Sequence, residues 1–188
     1  MTIEDVKKCY TNKTKAILMV HTYGLTSDAV AISEFCEKNN LILIEDSAEA
    51  HGQTFNNKKC GSFGLISTFS FYSNKHITTG EGGAVMTDSE ELINSVNKMR
   101  NLDFNNTKRF THENLYWNYR MGGLQAALAK SQMKSIYKVI NYKKIQGKKY
   151  YFRNGSYHEV KSRKVSHSQR TGLDDLVAQM RKKKELTS

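Results

Sequence analysis

Ser70 and Lys75 set a hydroxyl and a primary amine five residues apart in Thr68-Phe69-Ser70-Phe71-Tyr72-Ser73-Asn74-Lys75. The run is β-branched and aromatic at its start, which suits a strand. A glycine-rich turn follows, Thr78-Thr79-Gly80-Glu81-Gly82-Gly83, where small residues let backbone approach a ligand closely. About thirty residues upstream, the apolar run Leu41-Ile42-Leu43-Ile44 ends in Glu45 and Asp46. An amine, a carboxylate and a hydroxyl at strand ends are the groups needed to hold pyridoxal phosphate.

The flanking elements read as a crossover unit. Residues 4–10 are a short polar helix candidate, and residues 15–21 a buried strand leading to the Tyr23-Gly24 turn. Ala29, Ile32, Phe35 and Cys36 fall at helical spacing within residues 27–39, with Ser27 or Asp28 as N-cap and Asn39-Asn40 as stop. Residues 41–47 form the next strand. Strand, helix and strand with short joints predict a parallel pair, in which ligands gather at the carboxyl ends, where Asp46 falls. Further strands are predicted at 67–72 and 83–87, a helix from residue 88 to about Asn101, a loop over 102–116, and a helix from Gly122 or Gly123 to about Tyr142.

Composition divides the chain. Residues 1–133 carry 14 Lys/Arg against 14 Asp/Glu, while residues 134–188 carry 15 against 4, so the whole net charge of +11 lies at the C-terminal end. Beyond Tyr142 lysines and arginines interrupt any apolar face, which predicts a domain over 1–142 and a basic tail over 143–188. No stretch reaches the roughly 18 consecutive apolar residues of a membrane span, and residues 1–8 lack the apolar core of a secretory signal. Cys9, Cys36 and Cys60 match no zinc or redox spacing, so no metal is expected and a reducing cytoplasm is. His51 and His76 read as structural rather than catalytic.

Five blocks together carry a resemblance. They are Lys13-Thr14-Lys15-Ala16-Ile17 leading to Val20-His21-Thr22-Tyr23-Gly24; Glu45-Asp46-Ser47-Ala48-Glu49-Ala50-His51-Gly52; Phe69-Ser70-Phe71 with Lys75; Thr79-Gly80-Glu81-Gly82-Gly83; and Asn118-Tyr119-Arg120-Met121 with Gln125-Ala126-Ala127. In this order and spacing they resemble the DegT-type (DegT/DnrJ/StrS) sugar aminotransferases over roughly residues 5–140. The resemblance implies an α/β fold: part of a fold-type I large domain, mainly parallel sheet with flanking helices, followed by a basic tail that is poorly ordered or helical. It also implies pyridoxal 5'-phosphate as cofactor. Lys75 would form the Schiff base and move the proton, Asp46 would pair with the pyridine nitrogen, and Ser70 would bond the phosphate. Asn118 would reach the cofactor of a neighbouring subunit, which implies a homodimer.

Glu49 occupies the place where many family members set Gln against the cofactor ring. That resembles the branch of GDP-perosamine synthetases, which aminate a GDP-linked 4-keto-6-deoxy sugar with glutamate as donor. Family members are longer, with a phosphate-cradling turn before the part matched here and a small domain after it. The chain is therefore expected to be a fragment of such an enzyme, or an inactive remnant or partner subunit that associates with a complementary chain. Nucleic-acid binding through the tail, where Tyr150, Tyr151, Phe152 and Tyr157 lie among Lys and Arg, is the weaker reading.

Overall fold

Alternation in two adjacent apolar runs decides how the sheet is built. The computed structural model describes residues 1–104 and 110–153, so most of the predicted basic tail lies outside the described residues. Helix α1 (Ile3–Cys9) is capped by Thr2 and Asp5, whose side chains bond each other's backbone N–H reciprocally. Strand β1 (Ala16–Val20) passes through a short 3-10 turn to helix α2 (Ala29–Lys38) and strand β2 (Ile42–Asp46). β1 and β2 are parallel, in register from Ala16 opposite Ile42 to Val20 opposite Asp46. Asp28 is the N-cap of α2, as expected, but its side chain does not bond the helix's own first-turn amides. The Asp28 carboxylate instead accepts from Ile3 N–H at 3.1 Å, and the Ser27 hydroxyl donates to the Val20 carbonyl at 2.9 Å.

A two-residue hairpin joins β3 (Thr54–Phe55) to β4 (Lys58–Lys59), with Asn56 and Asn57 both at positive φ, the conformation such a turn demands. Strand β5 (Ile66–Ser70) adds parallel to β2 with Asp46 opposite Thr68, and β6 (Gly83–Met86) returns antiparallel to β5. The sheet order is β1-β2-β5-β6. Helix α3 (Glu90–Arg100) starts on a Ser89 cap, with two carboxylates in its first turn and Lys98 and Arg100 in its last.

The sequence predicts one helix from Gly123 to Tyr142; the structure divides it into α4 (Gly123–Met133) and α5 (Ile136–Arg153). Gln132 supplies the reason. Its amide donates to the Thr78 carbonyl at 2.6 Å and accepts from Thr78 N–H at 3.2 Å, pinning the end of α4 to the turn after Lys75. Ser135 N–H then bonds the Gln132 carbonyl, a tightened closing turn. α5 continues without interruption through the composition change at residues 142 and 143.

Parity assigns the two sheet faces. Ile17, Met19 and Leu43 are buried in the core with Val6, Ala29, Ile32, Cys36, Phe55 and Phe63, while Glu45 and Ser67, of the same parity, are buried against the 61–64 loop. The other parity carries Leu18, Ile42, Asp46, Thr68, Ser70 and Val85. On that face Leu18 is 55% exposed and Ile42 48%, so it lies open among the described residues.

Candidate active site

Lys75 and Glu49 meet although they are 26 residues apart in sequence: Lys75 Nζ lies 3.2 Å from Glu49 Oε1. Two loops make the contact. One leaves the carboxyl end of β2 and carries Glu49. The other leaves β5 and is closed by Lys75 N–H on the Tyr72 carbonyl and Thr79 N–H on the Phe71 carbonyl. Glu49 is fixed from its far side, where Oε2 accepts from Tyr23 N–H at 2.6 Å. Tyr23 turns at a positive φ of 55°, which aims that amide away from the turn and toward the carboxylate. The Lys75 side chain is only 14% exposed, so its amine is held against one carboxylate rather than ranging through solvent.

Asp46 ends β2. One carboxylate oxygen accepts from Ala48 N–H at 3.0 Å, and the other has no protein partner among the described residues. Ser70 ends β5 on the same face, two residues beyond Thr68, and its hydroxyl accepts from Tyr72 N–H at 3.2 Å with its own proton left to donate. Both therefore sit at carboxyl ends of parallel strands, the usual place for a ligand in such sheets. Asn118 stands apart from these four. It lies in an exposed loop, bridges to Asn101, and its carboxamide oxygen accepts from Arg120 N–H and Nε–H.

Sequence reasoning missed the pair beneath this site. Glu45 is fully buried, and one of its oxygens accepts from His21 Nε2–H at 2.8 Å, from the Ser47 hydroxyl at 3.2 Å and from Gly61 N–H. The other accepts from Phe63 N–H at 2.8 Å and Gly64 N–H at 3.2 Å. Burial alone would raise its pKa, but the His21 bond and the loop amides outweigh it and hold the carboxyl below its ordinary value. The missed signal is parity: Glu45 shares the face of Leu43, so a strand with Leu43 inward buries Glu45 and turns Asp46 outward. Gly64 is required here because a Cβ would come within 2.7 Å of the Leu43 carbonyl.

His21, Glu45 and Cys60 place ligand atoms within 4.8 Å of one another. His21 Nδ1 accepts from Ser27 N–H at 3.2 Å, so the ring proton sits on Nε2 and faces Glu45. Both ring nitrogens are committed to protein partners, and the cluster works as a clamp between β1, β2 and the loop before β5.

Behind Glu49, His51 packs against Phe69, Phe71 and His76, with ring centroids 5.4, 6.2 and 6.1 Å away. Burial, then His76 and Lys75, lower its pKa to about 4, while the Ser70 carbonyl pulls weakly the other way. His76 is lowered as well, by burial, Lys143 and Lys75.

A loop lysine held by a loop carboxylate, with Asp46 and Ser70 ending neighbouring strands, thus lies on an α/β sheet. The chain belongs to the DegT/DnrJ/EryC1/StrS aminotransferase family, whose match runs over residues 1–173 and so past the composition change. It is 42% identical over 144 residues to the GDP-perosamine synthase of Vibrio cholerae, covering 77% of this chain and 39% of that protein. Among solved structures, Helicobacter pylori PseC, an aminotransferase involved in the biosynthesis of pseudoaminic acid, matches with a TM-score of 0.72 and 30% identity. That match covers 80% of this chain and 42% of PseC. An E. coli GDP-4-keto-6-deoxy-D-mannose-3-dehydratase with bound hydrated pyridoxal phosphate matches with a TM-score of 0.74 and 29% identity, covering 83% of this chain and 44% of that one. The fold is thus part of a fold-type I large domain, and the chain spans about two fifths of the length of the curated relatives it matches.

Proposed function

We propose that the protein takes part in pyridoxal-phosphate-dependent transamination of a nucleotide-linked keto sugar, a 4-keto-6-deoxyhexose, with glutamate as amino donor. The observation that carries this reading is the Lys75–Glu49 contact at 3.2 Å, with Asp46 three residues before Glu49 at the outward-facing end of β2. The residues present fit the cofactor. Asp46 offers an unoccupied oxygen to a pyridinium N–H, Ser70 offers a hydroxyl proton to a phosphate, and Lys75 offers the one side-chain group that condenses with an aldehyde. Bound there, pyridoxal phosphate would supply the aldehyde and the electron sink.

The chain's own groups do the rest. Glu49, fixed by the Tyr23 amide, orients Lys75 Nζ, and that nitrogen carries the proton to and from the donor carbon. Asp46 would hold the ring nitrogen of the bound cofactor and, through charge pairing, favour its protonated form. Asn118, exposed in its own loop, is free of this cluster and suits a role at the site of a second copy. The names of the relatives support a nucleotide-sugar substrate; GDP-perosamine synthases support the GDP-linked version. Mixing the purified protein with pyridoxal phosphate tests the reading. A Schiff-base absorbance band that is lost in Lys75→Ala supports it, and no band at high cofactor concentration refutes it for this chain.

A second reading draws on the open sheet face. Exposed Leu18, Ile42 and Val85 suit a chain that completes its site by associating with a complementary chain or a full-length relative. Cofactor retention that appears only when such a relative is added would select this reading.

A further inference from the structure

A cleft opens behind Glu49; neither the Asp46 nor the Ser70 side chain lines it, although the Ser70 carbonyl lies near His51. Its walls include Glu49, His51, His76, Lys143 and Lys144, with Ile140 of α5 along one side. His51 is 92% buried there, since only 8% of it is exposed, and neither ring nitrogen completes a hydrogen bond among the described residues. A buried imidazole left without partners is costly and calls for an explanation. The interior holds about 20 Å³, room for one oxygen-sized group, and the mouth opens beside α5.

The charges around it have one sign in excess. His76 from the Lys75 loop and Lys143 and Lys144 from α5 line the cleft, and Lys75 acts on both histidines. The sole carboxylate is Glu49, which already serves Lys75 and the Tyr23 amide. Two lysines thus flank a histidine whose ring nitrogens complete no hydrogen bond among the described residues, the Ser70 carbonyl lying near without closing one, and the carboxylate of the cleft wall is already engaged.

We infer that this cleft is an oxyanion subsite, separate from the cofactor position, that takes one oxygen of a carboxylate or phosphate onto His51 between His76, Lys143 and Lys144. The entering oxygen accepts the His51 N–H, and the rest of the anion stays at the mouth against the two lysines. A carboxylate would come from an amino donor or its keto product; a phosphate would come from a nucleotide. Occupancy favours the protonated imidazoles, so binding draws both histidines back toward their ordinary pKa of about 6.5.

The test uses histidine C2–H NMR resonances of the full chain without cofactor, assigned with His51→Gln and His76→Gln. Inorganic phosphate and glutarate are titrated separately against sodium chloride of equal ionic strength. The expected result is a saturable movement of the His51 and His76 resonances and an upward shift of their pKa values, for His51 from about 4 toward 6.5. The response should vanish in the Lys143→Gln/Lys144→Gln variant, whose amide spectrum should stay native because both lysines lie at the surface of α5. It should persist in Ser70→Ala, which separates it from phosphate bound at the cofactor position. A response to phosphate alone points to a nucleotide, a response to glutarate alone to the amino donor, and either upholds the subsite. Resonances that behave as in chloride, or a response undiminished in the double lysine variant, would overturn it. The cofactor reading is scored separately by the absorbance at Lys75.

Discussion

The two faces of the β1-β2-β5 sheet share one backbone and have opposite characters. Inward, Met19 and Leu43 pack in the core with helix residues, Glu45 and Ser67 are closed in by the 61–64 loop, and Glu45 has five donors around it. Outward, Asp46 uses one oxygen on its own loop, Ser70 keeps a proton to give, and Leu18 and Ile42 are about half exposed. Adjacent residues of one strand, Glu45 and Asp46, thereby receive different tasks. A carboxylate with every lone pair engaged holds loops in place, and one with an oxygen to spare can serve a ligand. The inner face makes the fold, and the outer face offers the chemistry.

Exchanging these tasks should be impossible, and Glu45→Ala is the harshest test. It strands the His21 ring proton and three buried loop amides, so stability should fall by roughly 3–5 kcal/mol, enough to unfold a marginal domain. Asp46→Ala should change stability by about 1 kcal/mol or less, since it removes a single local bond, yet should abolish cofactor retention. Urea denaturation of both variants, with absorbance after gel filtration in pyridoxal phosphate, makes the comparison.

Next in size is the apolar contrast within β1. Met19→Ala should cost about 2–5 kcal/mol, whereas Leu18→Ala, one residue away on the open face, should stay within about 0.5 kcal/mol in the isolated chain. Equal losses would show that the outer face is covered. If a complementary chain covers it, adding that chain should make the Leu18 variant costly too.

The pH dependence is of similar magnitude and concerns His51. Its folded pKa of about 4 lies below the unfolded value of about 6.5, so between these values the unfolded chain binds more protons. Its contribution is complete above pH 6.5 and declines as pH falls to 4, amounting to roughly 3 kcal/mol. His76, shifted the same way, adds to the slope. Denaturation midpoints measured across this window should flatten in His51→Gln. The smallest effect is expected for Ser70→Ala: little change in stability, with weaker cofactor binding.

Much of this was legible in residue order. The strands near 16–20, 42–46, 66–70 and 83–86 show as apolar runs between turn residues, and the five blocks carry the family. What stayed hidden depends on distance through space. That Glu49 holds Lys75, and that the Tyr23 amide holds Glu49, follows only once the β2 and β5 loops meet at one sheet end. The division at Lys134 was hidden because Gln132 bonds a turn 54 residues away, which helical periodicity cannot register. His51, read as structural, shares a cleft wall with Lys143 and Lys144 only once α5 is in place.

Reductive trapping addresses the central claim most directly. The protein is incubated with pyridoxal phosphate, treated with borohydride, digested and mapped by mass spectrometry. An amine selected by Glu49 and its neighbours predicts a single pyridoxyl adduct at Lys75, reduced strongly in Asp46→Ala. Adducts spread evenly over the surface lysines, with Lys75 no more labelled than Lys58 or Lys59, would contradict the account.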